Sequence, residues 1–506
     1  MNPQIPVVIP VDEYTRLLVE NVHPPKWVNP QPSGRYNLVV LGAGTAGLVT
    51  AAGAAALGAK VALIEKQLLG GDCLNYGCVP SKAVIKAARV AQTVREASSY
   101  GVHIDGGFKI NFGEAMERMR RLRARISEHD SARRFRDLGV DVFLGEGKFL
   151  DRTTVEVEGQ KLKFSRTVIA TGARAAHSTV PGLAEAGFLT NETVFSLTEL
   201  PRRLCVIGAG PIGCEMAQAF RRLGSEVCVI TDGASILPRE DRDAAAVIQK
   251  RFEREGIKLI VGARIVKVEI VNGTKFVRFE QNGQEGNTES DEILVAIGRS
   301  PNVEKLNLEA ASVAYDKHGV KVDDRLCTTN PQIYAAGDIC SRFKFTHAAD
   351  AMARLALRNA FFFGRGKASS LVIPWCTFTD PEVAHVGLYE DEARKRGHEV
   401  VTHTVNMEDV DRAVLDGATD GFARVHMDGK TGKILGATLV SEHAGESIGE
   451  FVLAMTQGVP LSAFSSTIHP YPTQAEAVKR LGDLSMRARL KPWVRKVFTA
   501  YFKVRR

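Results

Sequence analysis

The fold is decided by the stretch Asn37-Leu38-Val39-Val40-Leu41-Gly42-Ala43-Gly44-Thr45-Ala46-Gly47, near the start of the chain. Its apolar first half is typical of a buried strand, and its second half is a GxGxxG sequence. An alanine-rich helical pattern follows as far as Gly58, and a second apolar run from Lys60 to Ile64 ends at Glu65. The order strand, helix, strand around these glycines predicts a βαβ unit with a tight first turn.

Each residue of this glycine motif has its own task in binding a dinucleotide. Gly42 makes the tight turn, Gly44 lets the backbone approach a pyrophosphate, and Gly47 packs the helix on the strand. The pyrophosphate lies at the helix N-terminus, and the carboxylate of Glu65 accepts a hydrogen bond from a ribose hydroxyl. The segment from Tyr36 to Ala59 carries no charge, but glycines at motif spacing exclude a membrane span, and we expect a soluble protein.

The same pattern recurs in the middle of the chain. An apolar run from Arg203 to Ile207 leads into the motif Gly208-Ala209-Gly210-Pro211-Ile212-Gly213, and a second run from Glu226 to Ile230 follows a helical pattern. Two copies predict that one protein binds two dinucleotides. The simplest protein of this kind passes a hydride between a nicotinamide and a flavin.

The residues after the second strand bear on the choice of nicotinamide coenzyme. Thr231 takes the place that Glu65 has in the first copy, and Asp232 follows it. A 2′-phosphate favours an arginine here, and none occurs before Arg239, while the carboxylate of Asp232 repels a phosphate. We therefore favour NADH over NADPH. The coenzyme-binding candidates of this half are Gly208, Gly210, Gly213 and Thr231.

A close pair of cysteines follows the first βαβ unit, in the string Gly70-Gly71-Asp72-Cys73-Leu74-Asn75-Tyr76-Gly77-Cys78-Val79-Pro80-Ser81-Lys82. Cysteines with this spacing do not share one face of an ideal helix, but Gly77 allows a distorted helix start at which the two sulfurs meet. A helix N-terminus and the nearby Lys82 favour the thiolate. The alternatives are two buried free thiols or a zinc site. No further Cys or His cluster lies near in the sequence to complete four ligands, so we predict redox chemistry and no metal site.

At this string the chain resembles the FAD-dependent pyridine nucleotide-disulfide oxidoreductases, in particular their mercuric reductase-like branch. The resemblance covers about residues 36 to 485. Besides the cysteine string it rests on the motifs Ala170-Thr171-Gly172, Ala296-Ile297-Gly298-Arg299, Ala335-Ala336-Gly337-Asp338 and Thr377-Phe378-Thr379-Asp380-Pro381-Glu382.

The resemblance implies an α/β fold with two Rossmann-type dinucleotide-binding domains and an α+β C-terminal dimerisation domain. The NAD(P) domain is inserted in the FAD domain, which it divides into two segments. The implied boundaries are an N-terminal arm (1–35), the first segment of the FAD-binding domain (36–172), the NAD(P)-binding domain (173–297), the second segment of the FAD-binding domain (298–370), the dimerisation domain (371–485) and a basic C-terminal tail (486–506).

The resemblance also implies roles for individual residues. Cys73 is expected to be the interchange thiol that attacks the substrate, and Cys78 the charge-transfer thiolate beside the flavin. Lys82 is expected near flavin N5, paired with Glu215, which follows the second glycine motif. The further cofactor-binding residues implied are Thr171, Gly172, Gly298 and Asp338.

A general acid is needed to protonate the leaving thiolate in this chemistry. The family places a His-Pro motif near the end of the chain, with a downstream glutamate that orients the imidazole; these positions match His469 and Glu476. Both are lent to the partner subunit's site, so we expect a homodimer with shared active sites. The sequence departs from the commoner His-Pro-Thr form by inserting Tyr471 and Pro472, which bears on the geometry of this pair.

The predicted function is electron transfer from NAD(P)H through FAD to a Cys73–Cys78 disulfide and on to a disulfide, a thiol-bound substrate or a metal ion. The alternatives are thiol oxidation of the dihydrolipoyl dehydrogenase type, mercury(II) reduction, and a membrane-peripheral partner protein without activity. Mercuric reductases hold Hg²⁺ with two vicinal cysteines at the extreme C-terminus, whereas the last cysteine here is Cys376. We therefore do not expect efficient turnover of Hg²⁺.

Composition and charge exclude several other classes of protein. A content of 44% hydrophobic and 25% charged residues excludes a disordered or collagen-like chain, and eight cysteines are too few for a secreted disulfide scaffold, so we expect a cytoplasmic protein. The formal charge of +8 lies in the tail, where ten basic residues and one acid follow from Lys479 onward. It is thus no indication of nucleic acid. For the tail we favour a solvated helix or one packed on the dimer over contact with an anionic membrane.

Overall fold

The computed structural model describes residues 6–362, 364–488 and 492–505. The chain forms two compact units, one of Met1–Ile236 with Glu255–Leu371 and one of Leu237–Arg254 with Val372–Arg506. Parallel βαβ units in the first and an antiparallel sheet with helices in the second agree with the predicted α/β class.

Helices and strands are numbered along the chain. The α-helices are α1 (Glu13–Val22), α2 (Thr45–Ala56), α3 (Gly71–Asn75), α4 (Cys78–Glu96), α5 (Phe112–Ser127), α6 (Ala132–Asp137), α7 (Leu183–Ala186), α8 (Pro211–Leu223), α9 (Arg242–Glu255), α10 (Thr346–Phe361), α11 (Glu390–Lys395), α12 (Asp411–Asp416), α13 (Ala444–Gln457), α14 (Ser462–Ser466), α15 (Glu476–Ala488) and α16 (Pro492–Val504). The strands of the first unit are β1 (Arg35–Leu41), β2 (Val61–Glu65), β3 (Val140–Leu144), β4 (Gly147–Asp151), β5 (Thr154–Val157), β6 (Gln160–Ile169), β7 (Ala173–Ala175), β8 (Arg203–Ile207), β9 (Glu226–Ile230), β10 (Lys258–Ile260), β11 (Ala263–Val271), β12 (Thr274–Gln281), β13 (Gln284–Ser290), β14 (Glu292–Val295), β15 (Arg299–Pro301), β16 (Tyr315–Asp316), β17 (Gly319–Val320) and β18 (Ile333–Ala335). Those of the second unit are β19 (Pro374–Thr377), β20 (Glu382–Gly387), β21 (Val400–Asn406), β22 (Phe422–Asp428) and β23 (Ile434–Ser441).

The largest sheet of the first unit has the strand order β3-β2-β1-β6-β5-β4, and β18 also pairs with β6. Strands β3, β2, β1, β6 and β18 run parallel to one another, whereas β5 and β4 are antiparallel to the strands they pair with, and β2 is buried along its whole length. A parallel sheet is covered on both faces, which is why the central strand β2 is apolar from Val61 to Ile64 rather than alternating. The carboxyl ends of β1 and β2 carry the first glycine motif and Glu65, where open α/β sheets bind their ligands.

A second parallel sheet, in the order β10-β9-β8-β14, repeats this arrangement around the second glycine motif. It is accompanied by an antiparallel sheet of β11, β12 and β13. Strand β15 pairs with β7, where the chain returns from this region to the first sheet. The two parallel sheets have separate clusters of buried apolar residues, so each dinucleotide motif lies on a core of its own.

The N-terminal helix α1 packs against α5 and α6 and joins the apolar core of the first sheet. Asp12 caps the helix by accepting from the backbone N–H of Thr15, and its carboxylate also pairs with Arg120. Leu18 and Val22 are buried in the same cluster as the strands of the first sheet. The segment before the glycine motif thus contributes apolar surface to this core.

The second unit is built on an antiparallel sheet in the order β19-β20-β23-β22-β21. Its core joins inward-facing strand residues such as Val425 and Ala437 with Phe451 of α13 and Leu481 of α15. Residues 237–254, which the sequence boundaries assign to the NAD(P) domain, group with this unit instead.

Side-chain contacts explain why residues 237–254 group with the second unit. The buried carboxylate of Glu240 accepts hydrogen bonds from Trp375 Nε1 at 2.8 Å and from Tyr389 Oη at 2.5 Å. Arg424 pairs with Asp243 at 2.5 Å. These polar contacts join residues far apart in the sequence, and the boundaries implied by the resemblance do not take them into account.

Candidate active site

The two cysteines lie on consecutive helices that begin at glycines. Cys73 is in the short helix α3, and α4 begins at Cys78 with Gly77 as its N-cap residue. Gly71 has φ of +57°, and a Cβ added to it would lie 2.6 Å from the Cα of Gly44. The backbone of the cysteine string therefore packs directly against the first dinucleotide loop, and only glycine fits at the contact.

The two thiols shift each other's pKa in opposite directions. The hydrogen bond from Cys73 lowers the pKa of Cys78 to about 6, with further contributions from the hydroxyl of Thr346 and the charge of Lys82. The same hydrogen bond, together with burial, raises the pKa of Cys73 far above its ordinary value. Thr346 Oγ1 lies 3.3 Å from Cys78 Sγ, and Cys78 is at the helix N-terminus, which also favours a thiolate. These contacts favour a thiolate at Cys78 and leave the proton on Cys73.

An ion pair lies one turn further along α4. Lys82 Nζ is 2.9 Å from Glu215 Oε2 of α8, with 36% of the lysine side chain and 6% of the glutamate side chain exposed. The pair joins the helix that follows the cysteines to the helix that follows the second glycine motif. A cation is thus held on the side of Cys78 by an almost fully buried carboxylate.

Asp72, the residue before Cys73, belongs to a second cluster of charged side chains. Asp72 accepts a hydrogen bond from Asn191 Nδ2 at 2.9 Å and pairs with Arg299 at 2.9 Å. Arg299 Nε also lies 3.6 Å from the carboxylate of Asp338, whose pKa is raised by burial and lowered to a smaller extent by the arginine. Arg299 therefore links the cysteine string to the motif that ends in Asp338.

The first glycine motif has the geometry of a dinucleotide loop. Gly42 has φ of +97°, and a Cβ on Gly47 would lie 1.8 Å from the carbonyl oxygen of Gly42. Gly44 is the N-cap of α2 and has no side chain to occupy the helix N-terminus. The carboxylate of Glu65 accepts from the backbone N–H groups of Ala43 at 2.7 Å and Gln67 at 2.8 Å, which fixes it beside the loop. These residues fit a dinucleotide whose pyrophosphate lies at the N-terminus of α2.

The second glycine motif repeats the geometry. Gly208 has φ of +103°, and a Cβ on Gly213 would lie 2.0 Å from the Gly208 carbonyl oxygen. Gly210, by contrast, has open space where a Cβ would be, as expected at a position that a ligand backbone or phosphate approaches. Thr231 directly follows β9, its hydroxyl accepts a hydrogen bond from the N–H of Gly233 at 3.2 Å, and Asp232 beside it is exposed.

The remaining cofactor candidates of the first unit lie where the chain leaves and re-enters the first sheet. Thr171 and Asn302 exchange two hydrogen bonds, from Thr171 Oγ1 at 3.0 Å and from Asn302 Nδ2 at 2.8 Å. Gly172, where the chain leaves the first sheet, has φ of +66°, and Gly298, where it returns, has φ of +122°. Both values favour glycine. The segment that leaves the first sheet and the segment that returns to it are therefore joined by hydrogen bonds between side chains and backbone.

In the second unit the structure does not join His469 to Glu476. His469 Nε2 lies 2.9 Å from the carboxylate of Glu450 on α13, and Nδ1 lies 3.1 Å from the carbonyl oxygen of Thr467. Glu476 begins α15 and is held by Arg480, one turn later, at 3.0 Å. The expectation that Glu476 orients His469 is corrected to Glu450.

The reason lies in the residues between the histidine and α15. The inserted Tyr471 is tied to α12 through a hydrogen bond to Asp411 at 2.8 Å. The carboxylate of Glu476, at the start of α15, is engaged by the arginine of its own helix. A glutamate of a preceding helix therefore takes the place beside the imidazole.

Sequence reasoning missed three residues of these sites. Thr346 is far from Cys78 in the chain, and only its position at the start of α10 marks it. Glu450 lies within a helical pattern in which a glutamate carries no distinguishing sign. Arg299 belongs to the motif Ala296-Ile297-Gly298-Arg299. The only sequence sign that this arginine forms an ion pair is the acidic residue Asp72 before Cys73.

Two glycine-motif dinucleotide sites and an activated cysteine pair on one unit define a two-cofactor thiol oxidoreductase. The family model of the pyridine nucleotide-disulphide oxidoreductases matches residues 36–353, and the model of that family's dimerisation domain matches residues 373–481. The chain belongs to this family, as the sequence predicted. The dimerisation domain supports a homodimer.

Individual relatives show where in the family the similarity lies. The chain is 36% identical over 453 residues to the mercuric reductase of Bacillus cereus, covering 89% of this chain and 72% of that protein. It is 34% identical over 451 residues to the dihydrolipoyl dehydrogenase of Mycoplasma pneumoniae, covering 88% and 97%. Among solved structures it is similar to the Cu(II) complex of the HOCl-induced flavoprotein disulfide reductase RclA from Escherichia coli, with TM-score 0.79, 27% identity and coverage of 88% and 98%.

These relationships confirm the predicted class. The protein is an NAD(P)H-dependent flavoprotein disulfide oxidoreductase that uses FAD. The alternative of a partner protein without activity is thereby set aside. The two glycine loops fit these two cofactors, because each leaves a helix N-terminus open to a pyrophosphate.

Proposed function

We propose that this enzyme uses Cys73 and Cys78 to reduce a small disulfide with electrons from NADH. The observation that carries the proposal is the position of Cys78 at the N-terminus of α4, with Thr346 Oγ1 3.3 Å from its sulfur and its pKa lowered by Cys73, Thr346 and Lys82. Bound FAD supplies the means of turning a hydride from the nicotinamide into the electron pair that opens a Cys73–Cys78 disulfide. The first glycine loop with Glu65 would hold it.

The chemistry at the sulfurs follows from their different protonation. Cys73 loses its proton and attacks one sulfur of the substrate, forming a mixed disulfide and releasing the first thiolate, which takes up a proton. The Cys78 thiolate then attacks Cys73 Sγ, which forms the Cys73–Cys78 disulfide and releases the second thiolate. Two electrons from the coenzyme reopen this disulfide. In sum, the substrate disulfide, NADH and one proton give two thiols and NAD⁺.

Lys82 and Glu215 have a positioning role in this proposal. The charge of Lys82 lowers the pKa of Cys78, and the carboxylate of Glu215 holds the ammonium 2.9 Å away on the adjacent helix. Because the Glu215 carboxylate is almost fully buried, it holds the lysine ammonium at a fixed position. We propose that this keeps a cation beside the thiolate through each cycle.

We propose that His469 serves as the acid and base for Cys73 and its leaving group. A raised Cys73 pKa requires a base before this thiol can attack. His469 is bound by Glu450, which orients the imidazole as carboxylates do for catalytic histidines. We assign the histidine to the site of the partner subunit in the homodimer.

The coenzyme and the location of the enzyme belong to the same proposal. The exposed Asp232 after Thr231 supports NADH over NADPH, and the ratio of kcat/KM for the two coenzymes tests this. An Asp232→Asn variant should lower that ratio. Because NADH and free thiols belong to a reducing compartment, we propose a cytoplasmic enzyme.

Domain boundaries are proposed on the same footing. The first unit would consist of an FAD-binding domain (36–172 and 298–370) with the NAD(P)-binding domain (173–297) inserted, less residues 237–254. The two separate parallel sheets of this unit support the division. The dimerisation domain would span residues 371–485.

A panel of electron acceptors tests the function. NADH oxidation is measured with oxidised glutathione, oxidised lipoamide, Hg²⁺ and Cu²⁺, for the wild type and for Cys73→Ser, Cys78→Ser and Cys327→Ser. Turnover with a disulfide that is lost in the first two variants and kept in the Cys327 control supports the proposal. Disulfide turnover that survives Cys73→Ser contradicts it.

The second candidate is reduction of a soft metal ion. It is favoured by the pair of adjacent thiols, since thiolates bind Hg²⁺ and copper, and by the similarity to mercuric reductases. Turnover with Hg²⁺ or Cu²⁺ in the same panel, without added thiol and without any disulfide activity, would decide for it.

A further inference from the structure

The C-terminal helix α16 is amphipathic, and its apolar face is uncovered in the described chain. One side carries Trp493, Val497, Tyr501 and Val504 at helical spacing, with Phe498 beside them. No residue of α16, which is described along its whole length, is buried; Trp493 is 63% exposed and Phe498 51%. An apolar stripe of this width is normally the face that a helix packs.

The opposite face of α16 is cationic. It carries Arg495, Lys496 and Lys503 around Thr499, and neither Asp nor Glu occurs between Pro492 and Val504. The aromatic rings lie together on the apolar face, where the ring centroids of Phe498 and Phe502 are 6.2 Å apart. The helix therefore has two chemically distinct faces, one aromatic and one positive.

The preceding helix α15 shows what a packed amphipathic helix looks like in this protein. Its apolar residues Ala477, Val478 and Leu481 are buried in the core of the second unit. Two of its three cations are neutralised, Lys479 by Asp483 at 3.0 Å and Arg480 by the glutamate one turn before it. The exposed aromatic face of α16 and its excess of positive charge are thus not general features of the C-terminal region.

The combination selects one kind of partner. Tryptophan, tyrosine and phenylalanine on one face with Lys and Arg on the other are typical of helices that lie in the interface of a lipid bilayer. Anionic headgroups provide the charge that the helix lacks, and the rings enter the acyl boundary. Pairing with a second copy of α16 is disfavoured, because it brings like charges together.

The length of the helix fits this orientation. Its 13 residues correspond to about 20 Å along the axis, less than the thickness of a hydrocarbon core. Among the residues that the structure describes, no helix is long and apolar enough to cross a membrane. Lying flat along the surface is the arrangement in which both faces of α16 find their preferred surroundings.

We propose that α16 binds the surface of an anionic lipid bilayer and holds the reductase there. The rings enter the interface, and Arg495, Lys496 and Lys503 contact acidic headgroups. The helix lies outside the residues assigned to electron transfer, so the enzyme keeps its activity whether or not the membrane is present. This inference does not depend on the identity of the substrate.

Vesicle co-sedimentation of the FAD-loaded full-length enzyme tests the proposal. Vesicles of phosphatidylcholine with phosphatidylglycerol should bind the wild type, and vesicles of phosphatidylcholine alone should not. Lys496→Glu combined with Lys503→Glu should lower the apparent affinity by about tenfold or more. The matched control is Lys109→Glu combined with Lys317→Glu, two exposed lysines elsewhere with the same change in charge; it should bind as the wild type does.

A second variant separates the two faces. Phe498→Asp should abolish binding without removing a cation, while all variants keep NADH oxidation and bound FAD, which shows that they are folded. Equal binding to both kinds of vesicle, or no binding to either, overturns the proposal. So does a loss of dimer, by light scattering, in the Phe498→Asp variant, because a second copy would then be what covers the helix.

Discussion

The acidity of Cys78 depends on a hydroxyl group contributed by a distant helix, and removing it gives a quantitative prediction. In Thr346→Val the shape of the side chain is kept, but the oxygen 3.3 Å from Cys78 Sγ is lost. A hydrogen bond to a charged group stabilises it by about 1.5 kcal/mol, and because Cys78 is exposed we take about half of that, or roughly 0.5 pKa unit. The pKa of Cys78, about 6 in the wild type, should rise accordingly.

The direction of the effect on reactivity follows from the thiolate fraction. A lowered pKa means that Cys78 is a thiolate above about pH 6 and a thiol below it. Raising the pKa by half a unit reduces the thiolate fraction at pH 6 from about one half to about one quarter. Alkylation of Cys78 by iodoacetamide should therefore slow about twofold at pH 6 and be unchanged at pH 8.

The assay is alkylation of the reduced enzyme over a pH series, with the site of modification read by fragment mass spectrometry. Cys73 and Cys78 lie in one tryptic peptide, so fragment ions distinguish them. Thr346→Ser, which keeps the hydroxyl, is the control and should follow the wild type. A Thr346→Val profile that superimposes on the wild type refutes the role of this hydroxyl, and a Cys78 midpoint near the ordinary thiol pKa refutes the activated pair altogether.

Two further predictions concern ion pairs. Arg222→Met breaks an ion pair in which both side chains are buried and should lower the free energy of unfolding by about 3–5 kcal/mol, whereas Arg264→Met, at an exposed pair, should change it by less than about 1 kcal/mol; urea unfolding of the two variants compares them, and equal losses would contradict the difference. Glu450→Gln should lower kcat by about tenfold or more by releasing His469, while Glu476→Gln should leave kcat within about twofold. Steady-state kinetics with a disulfide acceptor measure both, and the opposite order of effects would restore Glu476 as the orienting residue.

The features of the fold that are local in sequence could be predicted from it. Gly42 and Gly47 are required by backbone contacts within one turn, so their spacing alone identifies the loop. The same holds for Gly77, which sets the start of α4 beside Cys78. Short-range steric requirements of this kind can be recognised directly from the residue types and their spacing.

Contacts between distant segments leave no such record. Thr346 reaches Cys78 across more than half of the chain, and nothing in its neighbourhood marks a thiolate partner. Glu450 and Glu476 both lie on helices near His469, and only the three-dimensional path of the inserted residues decides between them. Residues 237–254 show the same limit for domain boundaries.

The single proton held by Cys73 and Cys78 has a consequence for the electrochemistry of the enzyme. A hydride contributes two electrons and one proton, which is the number that the reduced pair retains between the two thiol pKa values. Reduction of the Cys73–Cys78 disulfide by the coenzyme therefore takes up no proton from solvent above about pH 6. The solvent proton is taken up only when the substrate is reduced. One proton per two electrons means that the reduction potential of the pair falls by about 30 mV per pH unit in this range, half the slope of an ordinary dithiol, so its reducing power varies little with the acidity of its surroundings.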